Sequence, residues 1–285
     1  MKSQRQFDKT FSVELFPPRT AEGFDKLTGS IEALSALHPR YFSVTYGAGG
    51  STQQRTFEAV DWLRQQGIET APHISCIGST RAEIDAILQR YMQQGITRLV
   101  ALRGDLPSGS GFGAHDELRY ANELVEHIRR TTGDHFHIEV AAYPEYHPQA
   151  ASPMVDLENF KRKVEAGANA AITQYFYNAD AYFAFLDDCA RAGIEVPITP
   201  GIMPITNYRQ LARFSQMCGA EIPQWIARRL EGYGDDLEAI NAFGLDVVTR
   251  LCERLLEGGA PGLHIYTLNR ARAGHALWQR LNPSL

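Results

Sequence analysis

The chain has 285 residues, of which 44% are hydrophobic, so it can bury a large core without disulfides or structural metals. Its 33 acidic and 28 basic residues give a net charge of −5, which argues against a general nucleic-acid-binding protein. The sequence contains no apolar stretch of about 20 residues and no secretory signal near its start, which predicts a cytoplasmic protein without a membrane partner. Four widely spaced cysteines are expected to be reduced thiols: Cys76, Cys189, Cys218 and Cys252.

Short apolar runs rich in β-forming residues alternate with longer amphipathic runs along the chain. The predicted strands are 10–16, 41–48, 70–78, 97–105, 137–145, 170–177, 196–203 and 262–270. The amphipathic runs predict helices at 21–37, 51–66, 80–95, 154–167 and 178–193, and 221–258 adds helices before the last strand. A capping box at Thr80 and Glu83 and an N-cap at Asn178 mark two helix starts. This alternation predicts an α/β fold, a single (β/α)₈ TIM barrel spanning residues 1–285.

The barrel prediction also indicates where the chemistry should lie, because active sites of this fold occupy the carboxyl ends of the strands. Burying a polar side chain in an apolar strand costs free energy unless the group is hydrogen-bonded, ion-paired or part of a functional site. The sequence places many of them at those ends: Glu14, Thr45, Tyr46, His73, Arg103, Asp105, Tyr143, His147, Gln174, Thr199, Asn269 and Arg270.

Glu14 lies between Val13 and the apolar pair Leu15 and Phe16. Poor hydration raises the pKa of a carboxylic acid, so a side chain in this setting can act as a general acid near neutral pH. A purely structural carboxylate, bonded to a neighbouring strand, remains the alternative.

Two further strand ends carry charge or glycine. Arg103 is a candidate clamp for an anion or a carbonyl, and Gly104 permits a close backbone approach beside Asp105. A local ion pair between Arg103 and Asp105 is the alternative. The glycine-rich turns at 45–51 and 107–113 lack the GxGxxG spacing of a Rossmann fingerprint.

Two other clusters give weak signals on their own. His135 and His137 form an HxH pair, but they fall at the start of the fifth strand, away from the expected site, so no metal is predicted. Lys161, Arg162 and Lys163 share one helix. By themselves they are typical of a solvated helix face, with a clamp on a diphosphate as the alternative.

The ordered set of motifs resembles one known family. FSVELFPPR, YFSVTYGAGGST, PHISC, LRGDLP, AAYPEYHP, NFKRKVEAGANAAITQYFY, PGIMPITN and YTLNR together are similar to the short bacterial methylenetetrahydrofolate reductases. The resemblance runs from about residue 11 to residue 272. Each motif is weak alone, whereas their order along the chain is highly specific. Leu15 stands where the family usually has phenylalanine.

The resemblance implies a barrel that carries noncovalent FAD and uses NADH or NADPH as co-substrate. It implies reduction of 5,10-methylenetetrahydrofolate to 5-methyltetrahydrofolate for methionine synthesis, with donor and folate alternating at the flavin. Glu14 would be the general acid, and Asp105 would lie near both the flavin and the pterin. The resemblance further implies a homo-oligomer, either a tetramer or a dimer, without a regulatory domain.

The site residues implied by the resemblance fall into two groups. FAD contacts would come from Thr45, Tyr46, His73, Arg103, Gly104, Asp105, Ala121, Tyr143, His147, Asp156, Asn159, Arg162 and Lys163. The substrate contacts would come from Glu14, Asp105, Gln174, Gln210, Phe214 and Arg270. The resemblance thus favours the diphosphate clamp for the basic cluster. A flavin-free barrel lyase or pterin methyltransferase, and a noncatalytic folate-binding protein, remain as alternative functions.

Overall fold

The computed structural model describes residues 4–18, 20–46, 50–105 and 117–281, and these form a parallel β-barrel surrounded by helices. The strands are β1 (Thr10–Leu15), β2 (Tyr41–Val44), β3 (Thr70–Ser75), β4 (Arg98–Leu102), β5 (His137–Ala142), β6 (Ala170–Thr173), β7 (Ile198–Thr199), β8 (Gly201–Ile202) and β9 (Gly262–Tyr266). They hydrogen-bond in the order β7-β6-β5-β4-β3-β2-β1-β9-β8, and every pair is parallel.

The barrel closes at Pro200, which separates β7 from β8. Proline has no backbone N–H, so it interrupts the ladder at this point. β7 pairs with β6, with Ile198 opposite Ala171, whereas β8 pairs with β9, with Gly201 opposite His264. The predicted strand 196–203 is therefore two short segments that together occupy one barrel position. The predicted (β/α)₈ architecture is confirmed.

The helices cover the outside of the barrel. They are α1 (Ala21–Ser35), α2 (Gly50–Gln65), α3 (Arg81–Gln93), α4 (Ala121–Thr132), α5 (Pro153–Glu165), α6 (Ala179–Arg191), α7 (Tyr208–Cys218), α8 (Gln224–Tyr233), α9 (Leu237–Glu257) and α10 (Ala271–Leu281). Thr80 and Glu83 form the predicted capping box, and Asn178 caps α6. The extra helices expected in 221–258 are α8 and α9, which precede β9. α4, α7 and α10 were not among the predicted helices.

Several strands end before the predicted runs do. The predicted strand 262–270 stops at Tyr266, because Leu268 and Asn269 adopt positive φ angles of 50° and 59° and turn the chain away. Asn269 holds this turn through two 2.8 Å hydrogen bonds with the backbone of Phe16. The polar ends of the strands thus lie in the loops that form one rim of the barrel.

The hydrophobic residues form two separate cores. The larger core lies between the barrel and its helices, and a small one of Tyr41, Ala71, Val100 and Ile172 lies within the barrel. All four cysteines fall in the described part of the chain; they are free thiols, and only Cys218 is not fully buried. None of the helices in the described ranges combines the length and hydrophobicity that crossing a bilayer requires.

Candidate active site

Glu14 lies at the carboxyl end of β1, with only 9% of its surface exposed. Its Oε2 atom is 3.5 Å from Nε2 of His73 on β3 and 3.5 Å from Nε2 of His264 on β9. Among the described residues, neither of these two nitrogen atoms has a hydrogen-bond partner. The carboxylate therefore faces two buried imidazoles that can still gain a hydrogen bond.

Burial sets the charge of the groups around Glu14. It lowers the pKa of His73 to about 4, so this imidazole is neutral at neutral pH. Burial and the Glu14 charge together raise the pKa of Tyr266 well above its usual value, so its hydroxyl keeps its proton. That hydroxyl donates to the carbonyl of Thr173 at 2.8 Å. Two of the groups beside the carboxyl, His73 and Tyr266, are thus neutral at neutral pH.

Below Glu14, the barrel interior holds polar residues that sequence reasoning missed. Ser12 is in register with Tyr41 on β2 and with His264 on β9. Ser12 Oγ lies 2.7 Å from His264 Nδ1, and the Tyr41 hydroxyl donates to Glu139 at 2.6 Å. The signal was polar residues at alternating strand positions, such as Ser12 and Glu14, because alternate side chains of a strand point to the same face.

The end of β4 brings Arg103, Gly104 and Asp105 to the same rim. The Arg103 guanidinium donates to Gln149 at 2.7 Å and to the Gly104 carbonyl at 3.0 Å, so it is not bound to Asp105 in a local ion pair. Asp105 is exposed. Gly104 has φ +87°, and a Cβ there would lie 2.0 Å from Ser75 Oγ, so only glycine permits this approach of β4 to β3.

A charged cluster occupies the end of β5 and the inner side of α5. The Lys163 ammonium donates to the Ala141 carbonyl at 2.5 Å, and burial lowers its pKa to about 8. Asp156 accepts a 3.0 Å hydrogen bond from the backbone N–H of His147. Tyr143 stacks edge-on against His147, with ring centroids 4.7 Å apart. Burial lowers the pKa of His147, and the charges of Asp156, Arg103, Lys163 and Asp105 also act on it. These groups therefore form one cluster around the His147 ring.

The remaining residues implied for FAD lie further from this cluster. Arg162 is exposed and pairs with Glu158 at 3.7 Å, and Asn159 is also exposed. Ala121 is the first residue of α4, where the Glu123 carboxylate accepts from the Arg119 and Tyr120 N–H groups. Residues 47–49 and 106–116 lie outside the described part of the chain, so the middle of the 45–51 turn and all of the 107–113 turn are not described.

Thr45 and Tyr46 follow β2, where the Thr45 N–H donates to the Leu15 carbonyl and the Tyr46 hydroxyl accepts from Gln53 at 2.7 Å. Burial raises the pKa of Tyr46, so its hydroxyl stays neutral. Both residues therefore lie beside the carboxyl end of β1, close in the fold to Glu14.

The residues implied for the substrate lie around the opposite half of the rim. Gln174 follows β6, and its side-chain oxygen accepts from the Tyr175 N–H at 3.0 Å. Gln210 is in the first turn of α7, and Phe214, one turn later, packs partly against the core. Arg270 follows β9 and is exposed. A small cleft beside Gln174 is lined by Tyr143, Pro144, Glu145, Tyr146, Gln174, Tyr175, Cys218, Gly219 and Ala220.

The HxH pair lies at the opposite end of the barrel, as the sequence indicated. His135 bonds the Ile96 carbonyl at 3.0 Å, and His137 lies 4.0 Å from Glu139. Within the described ranges, no group of three or more His, Cys, Asp or Glu side chains is arranged to hold a metal.

A closed parallel barrel with titratable side chains gathered at the carboxyl ends of its strands defines the class of α/β-barrel enzymes. The comparisons with known proteins then identify the family. The family model described as methylenetetrahydrofolate reductase matches residues 1–282. The chain therefore belongs to the methylenetetrahydrofolate reductase family, as its motifs indicated.

Individual relatives support this assignment. The 5,10-methylenetetrahydrofolate reductase of Escherichia coli (strain K12) is 43% identical over 271 residues, covering 95% of this chain and 90% of the relative. A probable NADH-dependent methylenetetrahydrofolate reductase of Oryza sativa subsp. japonica is 39% identical over 95% of this chain and 48% of its own length.

Among solved structures, the fold matches an uncharacterized protein from Clostridium thermocellum that binds two copies of 5-methyl-5,6,7,8-tetrahydrofolic acid. The TM-score is 0.71 at 18% identity, with 100% of this chain and 99% of the other covered. At this identity the likeness is one of fold.

Proposed function

We propose that this chain catalyses the FAD-dependent reduction of 5,10-methylenetetrahydrofolate to 5-methyltetrahydrofolate with NADH or NADPH, which supplies methyl groups for methionine synthesis. The observation that carries this proposal is Glu14, a nearly buried carboxyl at the rim of a barrel of this family, facing two imidazoles. The naming of a plant relative as NADH-dependent favours NADH as the donor.

Glu14 acts as the general acid in this proposal. The five-membered ring of the substrate opens only when its departing nitrogen gains a proton, and Glu14 donates that proton from its carboxyl oxygen. The carbon left behind is an electrophilic iminium that accepts a hydride. Because the Glu14 carboxyl is shielded from bulk water, its proton is available to the substrate rather than exchanged freely with solvent.

The charged cluster at the end of β5 fits FAD. Burial lowers the pKa of the Lys163 ammonium to about 8 although the charge of Asp156 acts in the opposite direction, so a further negative group would stabilise the ammonium. A diphosphate would be such a group, and Arg103 offers a guanidinium on the same rim. When bound, FAD carries the hydride from the nicotinamide to the folate.

The protein's own residues orient the two reactants. Asp105, exposed at the end of β4, places a negative charge beside the site and favours the positive charge that develops on the substrate. Gln174, Gln210 and Arg270 offer hydrogen bonds to the folate, and Phe214 offers an aromatic face to either reactant. The two reactants would share this one site in turn, which gives ping-pong kinetics.

The experiment that tests the proposal follows the colour of the purified protein. Reconstitution with FAD should give a yellow protein whose absorbance is bleached by NADH without oxygen and restored by 5,10-methylenetetrahydrofolate. A protein that takes up no FAD would favour a flavin-free lyase or methyltransferase. Folate binding without any absorbance change of bound flavin would favour a noncatalytic folate-binding protein.

A further inference from the structure

A chain of polar contacts crosses the inside of the barrel and ends at Glu14. At its lower end, Arg98 donates to Glu139 Oε1 at 2.7 Å, and the Tyr41 hydroxyl donates to Glu139 Oε2 at 2.6 Å. Ser12 lies opposite Tyr41 in the register of β1 with β2, where it lowers the pKa of the Tyr41 hydroxyl as a donor does, and Ser12 Oγ lies 2.7 Å from His264 Nδ1. His264 then presents Nε2 to Glu14 Oε2 at 3.5 Å.

The direction of the hydrogen bonds is fixed at the lower end of this chain. Glu139 is buried and pairs with Arg98, so its carboxylate accepts from both Arg98 and Tyr41. Burial and the Glu139 charge raise the pKa of Tyr41 well above its usual value, so its hydroxyl keeps its proton. The Tyr41 hydroxyl therefore donates its proton to Glu139, so the Tyr41 oxygen can only accept a hydrogen bond from Ser12.

The donors of the next two contacts, at Ser12 and at His264, follow from this direction, because a hydroxyl has one proton to donate. The Ser12 hydroxyl donates its proton to Tyr41, so its oxygen must accept the hydrogen bond from His264 Nδ1. His264 therefore donates to Ser12 through a protonated Nδ1. In the neutral form of His264 the imidazole carries only that one proton, so Nε2 is left with a lone pair that faces Glu14.

We propose that His264, fixed in its Nδ1-protonated form by Ser12, Tyr41 and Glu139, is a positioning residue that keeps Glu14 in its proton-bearing form. A lone pair at Nε2 attracts a carboxyl O–H and repels an ionised carboxylate. The 3.5 Å separation is longer than a formed bond, as is common for catalytic contacts before substrate binds, and it leaves the proton free to be given up.

The other groups that face Glu14 are consistent with this role. His73 on β3 is neutral and offers Nε2 to the same oxygen. The Tyr266 hydroxyl on β9 donates to the Thr173 carbonyl. Ser43 on β2 is in register with Glu14. None of these groups carries a positive charge that would favour an ionised Glu14. The inference rests on the proposed function, in which Glu14 must begin each turnover with a proton.

The direct test reads the tautomer of His264 in FAD-loaded protein. Nitrogen-15 NMR of histidine-labelled enzyme distinguishes a protonated Nδ1 from a protonated Nε2, and His264→Gln identifies the signals of His264 by their loss. We expect a protonated Nδ1 in the wild type. A protonated Nε2 would overturn the proposal, because that nitrogen would then donate to Glu14.

Two variants test whether the chain sets this tautomer. Tyr41→Phe frees the Ser12 proton for His264 Nδ1, and Ser12→Ala removes the acceptor of Nδ1–H, so both should move the proton towards Nε2. The matched control is Tyr91→Phe, since Tyr91 is a fully buried tyrosine of α3 whose hydroxyl bonds no residue that the structure describes. It should leave His264 unchanged. Both test variants keeping Nδ1 protonated would contradict the proposal.

The pH dependence of the folate half-reaction gives a second readout. In Tyr41→Phe, His264 Nε2 should carry a proton and donate to Glu14 instead of facing it with a lone pair. A donor stabilises the ionised carboxylate, so the pH at which the rate of the folate half-reaction falls should move about one unit lower. A changed tautomer with an unmoved profile would show that His264 does not govern Glu14. If the enzyme does not reduce the folate at all, the proposed function fails, whereas the NMR result still decides the tautomer.

Discussion

Glu14 and His264 lie 3.5 Å apart, from Oε2 to Nε2, although they belong to the first and the last strand of the barrel. The parallel pairing of β1 with β9 brings them together and sets Glu14 opposite Tyr266, two residues after His264. The carboxyl therefore depends on closure of the barrel for its surroundings. A local motif around residue 14 would not create them.

Replacing Glu14 with glutamine should separate the two halves of the proposed reaction. An amide of the same shape has no proton to give, so reduction of 5,10-methylenetetrahydrofolate should slow by about 10²–10⁴-fold. Flavin reduction by NADH should stay near its normal rate, since hydride transfer to FAD does not need this acid. Anaerobic stopped-flow absorbance of each half-reaction, measured separately, gives both rates.

The NADH half-reaction serves as the internal control for this variant. Equal slowing of both halves would mean that Glu14 only supports the site. A folate half-reaction that retains more than about a tenth of its rate would show that another group or a water molecule supplies the proton.

The fold was predictable because its signals are local and repeated. Positive-φ glycines such as Gly95, Gly167 and Gly193 mark the ends of several helices, and an apolar strand follows each of these three. The break at Pro200 was less visible, since one residue without an N–H divides a run that otherwise looks like a single strand. Its consequence depends on which strands flank it, and this is a property of the closed barrel.

The candidate site was predictable at its rim but not in its interior. Glu14 and His73 stand out as polar residues in apolar runs, whereas Ser12, Tyr41 and Glu139 have ordinary structural interpretations taken one by one. Their shared direction of hydrogen bonding arises only when strands distant in sequence become neighbours. The same limit applies to Arg103, whose partner Gln149 lies on another loop.

Gly104→Ala should destabilise the protein and disturb the rim of β4. The new Cβ would lie 2.0 Å from Ser75 Oγ at a φ of +87°, which an alanine adopts with strain. We expect a loss of about 1–3 kcal/mol in the free energy of unfolding, measured by urea denaturation. Gly29→Ala is the control, because its Cβ would meet nothing within 4 Å inside α1. It should stabilise slightly, and equal effects would contradict the packing argument.

Asp105→Asn should raise the reduction potential of bound FAD. Removing a negative charge beside the ring makes it easier to add electrons, by roughly tens of millivolts for a two-electron couple. NADH should then reduce the flavin at least as fast, while folate reduction slows. Spectroelectrochemical titration measures the potential. Asp235→Asn, a change at an exposed carboxylate paired with Arg209, is the control; an unmoved potential in Asp105→Asn would mean that Asp105 is not coupled to the ring.

Lys163 should give FAD binding a characteristic pH dependence. Burial lowers the pKa of its ammonium to about 8, so raising the pH above 8 removes the charge that would hold the diphosphate. FAD should therefore dissociate more readily at higher pH, as measured by fluorescence of released flavin. Lys163→Met should weaken FAD binding by about ten- to a hundredfold and remove this dependence, since a charge-assisted hydrogen bond is worth about 1.5–3 kcal/mol.

The stability of the FAD-free protein should respond to the same group with the opposite sign. Between pH 8 and the higher pKa of an exposed lysine, the unfolded chain binds more protons at this position than the folded chain does. Deprotonation of Lys163 therefore adds stability as the pH rises through this window, while FAD affinity falls. Lys161→Met is the matched control, because Lys161 on the same helix pairs with Glu165 at 3.8 Å. It should preserve both trends, and a Lys163→Met protein that also preserves them would return Lys163 to the role of an ordinary helix residue.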